Sequence, residues 1–160
     1  MHLDLRRASV FLDFDGTIST ADLGLHLLER LGADGWRDVE DEYVRGEIGS
    51  RACLSDQWEF LPKDRELLTR TAAEIPLDPG TSTLVHALRA AGSEVSIVSD
   101  GFGFYVDELC GHLGVPIITN GVDWETADLV FPSADRCCAC SSCGTCKQAP
   151  IKDAARRGRT

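Results

Sequence analysis

The segment Phe11-Leu12-Asp13-Phe14-Asp15-Gly16-Thr17 sets two carboxylates two positions apart at the end of the apolar run Ala8-Ser9-Val10-Phe11-Leu12. Side chains at i and i+2 of an extended chain leave the same face, so Asp13 and Asp15 converge where the run ends. An apolar run without polar alternation suits a strand of a parallel sheet buried on both faces, and such sheets collect ligands beyond the carboxyl ends of their strands. Two acids held together there invite a cation. The same residues would also serve as a plain turn and helix N-cap, since aspartate, glycine and threonine each favour those positions. Residues further along the chain separate the two roles.

Behind this segment, Leu23, Leu27, Leu28 and Leu31 recur at helical spacing, and residues 35–74 suggest three further helices near 36–46, 50–60 and 63–74, with no strand among them. Asp78-Pro79-Gly80 opens another helix that stops at Gly92, and Glu94-Val95-Ser96-Ile97-Val98-Ser99-Asp100-Gly101 reads as a β-branched strand running into a glycine turn. A helix over 103–113, a brief strand from Val115 to Thr119, an extended piece from Asp128 to Pro132 outside the main sheet, and a last helix from Lys147 to Arg157 complete the pattern. The βα rhythm predicts an α/β fold on a parallel sheet. Residues 1–20 and 76–160 form its core, with a cysteine-rich loop at 133–146, and residues 21–75 form an all-helical cap over the carboxyl edge of the sheet.

With 160 residues, 43% of them hydrophobic, the chain can bury one core. A net charge of −10 and a pI near 4.7 argue against nucleic acid and anionic membrane as partners, while leaving room for a small anion at a locally positive site. No segment approaches the roughly 18 apolar residues of a spanning helix, and no apolar leader with a cleavage site opens the chain, which makes the cytoplasm the expected compartment. Five of the seven cysteines fall within residues 137–146. An odd count, clustered in this way, favours reduced thiols or a metal over structural disulfides.

The order apolar run, Asp13, one apolar residue, Asp15, Gly16, Thr17 resembles the first motif of the haloacid-dehalogenase-like hydrolases, Asp-x-Asp-x-Thr. That resemblance implies a Rossmann-like three-layer core and phosphoryl chemistry through an aspartyl phosphate. Asp13 then stands as the nucleophile, and Asp15 as the group that protonates the leaving alcohol and later deprotonates water. Mg²⁺ would be held by Asp13, by Asp15 through its backbone carbonyl, and by the phosphate. Ser99, followed by Asp100 and Gly101, matches the second motif, a hydroxyl whose neighbouring N–H groups hold the phosphate. Lys147 matches the third, a lysine at the start of a later helix; the chain has two other lysines, Lys63 and Lys152.

The set is similar to the phosphoserine-phosphatase-like branch, with the cap between the first and second motifs. Gly-Thr-Cys-Lys with cysteines just upstream looks most like the 2-hydroxy-3-keto-5-methylthiopentenyl-1-phosphate phosphatases within that branch. A small phosphorylated metabolite is the implied substrate. Asp22 takes the place of a substrate-binding glutamate, and Arg45 and Arg51 flank the Gly46-Glu47-Ile48 turn and could meet an anionic group. No arginine follows that turn where phosphoserine phosphatases carry their carboxylate-binding one, which counts against phosphoserine.

The family's fourth motif, an acidic pair of the Gly-Asp-x-x-x-Asp kind, has no counterpart before Thr160. The expectation is therefore a truncated chain that binds Mg²⁺ weakly and turns over slowly, with its first strand on a sheet edge. Cys137, Cys140, Cys143 and Cys146 form a Cys-x₂-Cys-x₂-Cys-x₂-Cys series that could hold structural Zn²⁺ tetrahedrally; a loop of reduced thiols is the alternative. Two competing functions remain at this point, an inactive phosphatase-like domain that binds a phosphorylated ligand or partner, and a cysteine-rich metal-binding module on an unrelated α/β core.

Overall fold

The computed structural model describes residues 4–133 and 142–160. Strand β1 (Ser9–Leu12) leads into four helices, α1 (Leu23–Leu31), α2 (Trp36–Val44), α3 (Ser50–Trp58) and α4 (Arg65–Ala72). Helix α5 (Thr81–Ala90), strand β2 (Glu94–Phe102), helix α6 (Gly103–Cys110), strands β3 (Ile117–Asp123) and β4 (Asp128–Val130), and helix α7 (Gln148–Arg156) come next. The sheet runs β1-β2-β3-β4, parallel across its first three strands and antiparallel between β3 and β4. This is the α/β fold that the βα rhythm predicts. Among the described residues no strand interrupts the stretch from α1 to α4.

Local chemistry accounts for the helices. Asp22 caps α1 by accepting from the Leu25 N–H at 2.8 Å, and Asp64 caps α4 by accepting from Leu67 N–H at 3.0 Å. Leu23, Leu27 and Leu28 turn one face of α1 inward, and Trp58 of α3 and Leu68 of α4 join them in a cluster with Ile97 of β2 and Tyr105 of α6. Burying each such side chain contributes about 1.5–3 kcal/mol, so the helical segment and the sheet share one core.

Three details differ from the sequence expectations. Strand β1 lies at the edge of the sheet, as expected, but is half-buried along its whole length rather than covered on both faces. Its outer edge carries Thr160, whose N–H donates to the Arg7 carbonyl and whose carbonyl accepts from the Ser9 N–H, both at 2.9 Å, the pattern of a parallel ladder. Strand β4 belongs to the sheet, because β3 extends to Asp123 and pairs with it there.

The third difference lies at the Ser99-Asp100-Gly101 segment. Strand β2 does not end there but bulges and resumes, so that the steps from Val98 to Phe102 face only those from Ile118 to Asn120 on β3. Phe102 re-enters the ladder because its ring is buried against Trp58, Phe104 and Tyr105. A bulge re-aims side chains, and here the Ser99 hydroxyl reaches Asp15, just beyond the carboxyl end of β1.

Candidate active site

Asp13 and Asp15 come directly after β1 and occupy different environments. The Asp13 side chain is 45% exposed, and its Oδ1 accepts from the Lys147 ammonium at 2.8 Å and from the Phe14 N–H at 2.9 Å. Asp15 lies deeper. Its carboxylate accepts from the Leu23 N–H at 2.9 Å and from the Ser99 hydroxyl at 3.3 Å. Burial pushes the Asp15 carboxyl up to about 6; the Leu23 N–H pulls against that shift, and the negative charge of Asp22 adds to it. One acid is thus solvated and paired with a cation, while its neighbour is primed to carry a proton near neutral pH.

The bulge supplies the other wall. Ser99 is fully buried and accepts from the Gly101 N–H at 2.9 Å while donating to Asp15. A side chain at Gly101 would collide here, because the Tyr105 hydroxyl occupies the space a Cβ would need. Burial raises the Tyr105 phenol well above its ordinary range, so it remains a neutral hydroxyl beside the acids. The Asp100 carboxylate accepts from the Thr145 N–H and from Asn120 Nδ2 at 3.1 Å.

These groups floor a cleft of about 300 Å³. Its far walls come from α1 with Leu25 and Leu28, α2 with Glu40 and Tyr43, and α3 with Ser50, Leu54 and Gln57. The Gln57 amide donates to Glu40 at 2.8 Å, which ties α3 to α2. Asp22 lines the cleft at the start of α1.

The structure brings together Asp13, Asp15, Asp22, Asp100, Gly101 and Lys147 on that lining, with Ser99 hydrogen-bonded behind it. Arg45 and Arg51 are not part of the lining. Arg45 forms a two-pronged pair with Glu47 at 2.8 and 3.0 Å on the surface, and the Arg51 guanidinium lies 5.0 Å from the centre of the Phe131 ring. The residues not anticipated are Asn120, Thr145, Tyr105, and the Tyr43, Glu40 and Gln57 wall. Asn120 carried one usable signal, a polar amide inside the apolar strand Ile117-Ile118-Thr119-Asn120.

Of the four cysteines that could hold zinc, Cys137 and Cys140 lie outside the described residues. Cys146 is buried beside Phe11 and Ile118 under α7, and Cys143 is half-buried. Among the described residues no three His, Cys, Asp or Glu side chains gather as a metal site. Burial pushes the Cys53 thiol up to about 12 and the Cys110 thiol up to about 11, so both stay protonated and inert. Among the described residues no helix is long and apolar enough to cross a membrane.

Comparison with known proteins agrees with this geometry. Residues 10–132 match the family of haloacid dehalogenase-like hydrolases. The 2-hydroxy-3-keto-5-methylthiopentenyl-1-phosphate phosphatase of Brevibacillus brevis is 25% identical over 155 residues, covering 92% of this chain and 69% of that protein. The phosphoserine phosphatase of Archaeoglobus fulgidus is 33% identical over 112 residues, covering 69% of this chain and 32% of that one. In fold, a haloacid dehalogenase family hydrolase from Salmonella enterica serovar Typhi superposes on 96% of this chain with a TM-score of 0.76 and 17% identity; the match spans about half, 53%, of that protein. This excludes the unrelated α/β core. The chain belongs to the haloacid dehalogenase-like hydrolase family, on its phosphatase side, as a relative of phosphoserine phosphatases and of 2-hydroxy-3-keto-5-methylthiopentenyl-1-phosphate phosphatases.

Proposed function

We propose that this chain hydrolyses a small phosphomonoester through an aspartyl phosphate on Asp13. The observation that carries the reading is the split between two neighbouring acids: an exposed Asp13 held 2.8 Å from Lys147, and a buried Asp15 with its carboxyl pushed up to about 6. Attack on phosphorus needs an ionised carboxylate with a cation beside it, and departure of the alcohol needs a carboxyl that still holds a proton. The same chain position cannot serve both needs, and the two environments divide them.

In this reading Asp13 forms the bond to phosphorus while Asp15 gives its proton to the leaving oxygen. Asp15, now ionised, then takes a proton from the water that attacks phosphorus and frees Asp13. Lys147 draws negative charge from the phosphoryl oxygens, and the Ser99 hydroxyl with the N–H groups of the bulge holds them in place. Helices α1 to α4, within residues 21–75, act as the cap that keeps bulk water from the intermediate.

The donor chemistry fits Mg²⁺. Asp13 and the Asp15 carbonyl offer hard oxygen ligands beside the phosphate position, the class of ligand that ion takes. When bound, Mg²⁺ would supply positive charge to the transferred phosphoryl group. The substrate is read as a phosphorylated small metabolite without a second anionic group, unlike phosphoserine, because among the described residues the lining brings carboxylates and leucines but no arginine.

The test is phosphoryl-enzyme trapping and turnover. Beryllofluoride with Mg²⁺ should raise the melting temperature of the 160-residue protein, and p-nitrophenyl phosphate should be hydrolysed in the presence of Mg²⁺. Asp13→Asn should abolish both. Hydrolysis that survives that change would remove Asp13 as nucleophile.

A further inference from the structure

Asn120 takes no part in the chemistry proposed above, yet it joins the two loops on which that chemistry depends. It sits on β3, 1% exposed, opposite the β2 bulge. Its Nδ2 donates to the Asp100 carbonyl at 2.6 Å and to the Asp100 carboxylate at 3.1 Å, and its Oδ1 accepts from the Thr145 hydroxyl at 2.9 Å. The Thr145 N–H closes the ring by donating to the same Asp100 carboxylate. Thr145 is itself 3% exposed. A Cβ on Gly144 would lie 2.5 Å from Asp100 Oδ1 and 2.9 Å from Asn120 Nδ2, so the loop comes this close only because residue 144 is glycine.

This ring has a consequence for Lys147, two residues beyond Thr145. The Lys147–Asp13 pair is about half exposed on both sides, and exposed ion pairs hold their geometry with only about 0–1 kcal/mol. The place from which the lysine reaches is therefore set by its backbone, and Thr145, two residues before it, is anchored in the Asn120–Thr145–Asp100 ring. Hydrogen bonds in such a dry setting are strong when complete and costly when broken. An amide suits the centre of the ring because it offers a donor and an acceptor in one plane; a carboxylate at 120 would set a second negative charge against Asp100.

We propose that Asn120 and Thr145 are positioning residues that fix the distance between the Lys147 ammonium and the Ser99–Gly101 loop, and so set how tightly a phosphoryl group is gripped. The proposal rests on the reading of Lys147 and Ser99 as phosphate-binding groups.

The experiment compares the 160-residue protein with Thr145→Val, which keeps the shape and loses the hydroxyl, and Thr145→Ser, which keeps the hydroxyl. Inorganic phosphate affinity by calorimetry, Mg²⁺-dependent hydrolysis of p-nitrophenyl phosphate, and melting temperature are read for each. Thr145→Val should weaken phosphate binding and lower kcat/KM by at least about tenfold, as misplacement near 1 Å does. Thr145→Ser should restore both. In a Lys147→Ala background, Thr145→Val should add less than about a twofold loss, because the ring acts through the lysine.

Wild-type affinity and turnover in Thr145→Val, or an equal loss with and without Lys147, would overturn the proposal while leaving the phosphatase reading intact. If the unaltered protein neither binds phosphate nor hydrolyses the ester, the reading of Lys147 fails and the proposal fails with it. Should Thr145→Val not fold, Thr145→Ala is held to the same criteria.

Discussion

The Lys147 ammonium stands 2.8 Å from Asp13 Oδ1 although 134 positions separate the two residues in the chain. With side chains 49% and 45% exposed, the pair contributes about 0–1 kcal/mol to folding, too little to explain its placement by stability. Lys147→Ala should therefore leave the melting temperature within a few degrees while lowering kcat for p-nitrophenyl phosphate by about a hundredfold or more, the loss expected when a charge that stabilises a transition state is removed. Paired thermal melts and initial rates check this. A large drop in melting temperature with a small drop in rate would mark the lysine as structural.

The Asp15 carboxyl, raised to about 6 by burial against an ordinary value of 3.8, predicts a pH dependence of stability with a definite sign. The folded protein holds this proton more tightly than the unfolded chain, so stability falls as pH rises from about 4 to about 6 and stays lower above that window. Asp15→Asn removes the cost of ionising a buried group, which is on the order of 1–3 kcal/mol. Melting curves should show the variant more stable than the parent at pH 8, with the gap closing below about pH 4. The same variant should lose turnover by about a hundredfold or more, since the proton donor of the proposed mechanism is gone.

How much of the site is legible in the sequence depends on where each residue's role is decided. Asp13 and Asp15 follow the end of β1 and Lys147 precedes α7, and those ends are written locally in apolar runs, glycines and hydroxyls, as is the hydroxyl-acid-glycine run at Ser99. Asn120 and Thr145 are not legible as partners, because the bulge that brings β2 to face them is a property of pairing between distant strands. Arg45 is legible as a charge near a turn, but Glu47, two residues away, claims it at the surface. The half-burial of β1 is likewise not encoded in its own apolar run, because it depends on what the rest of the chain lays against each face.

The lining of the cleft predicts selectivity. Among the described residues around it Lys147 is the only cation, while Asp22, Glu40 and Asp100 bring carboxylates and Leu25, Leu28 and Leu54 an apolar wall. A phosphomonoester whose alcohol carries a carboxylate meets repulsion with no compensating guanidinium among the described residues, and like charges brought together in a cleft cost affinity and on-rate. O-Phosphoserine should therefore be hydrolysed with kcat/KM at least about tenfold below that of an uncharged alkyl phosphate of similar size. Arg45→Ala should leave KM within about twofold for either substrate, since that guanidinium is spent on Glu47 outside the cleft. Equal rates on the two esters would show that charge does not govern selection here.

Gly101 and Tyr105 supply the most local prediction. The Tyr105 hydroxyl fills the space a Cβ at position 101 would need, with Ser99 Oγ a further 3.1 Å neighbour. Gly101→Ala must push the ring, the bulge or both, at a cost of about 1–3 kcal/mol for overpacking a tight site. Because Gly101 N–H donates to Ser99 Oγ, the shift reaches the hydroxyl that faces Asp15, so turnover should fall along with stability. Tyr105→Phe removes the oxygen that meets the new methyl group and leaves the ring in its buried contact with Phe14. The double variant should thus recover part of both losses, a coupling that denaturant melts and rates on the two single variants and their combination measure directly. Losses that simply add would show that the methyl group is resisted by the Tyr105 ring carbon at 3.0 Å and Ser99 Oγ at 3.1 Å rather than by the tyrosine oxygen.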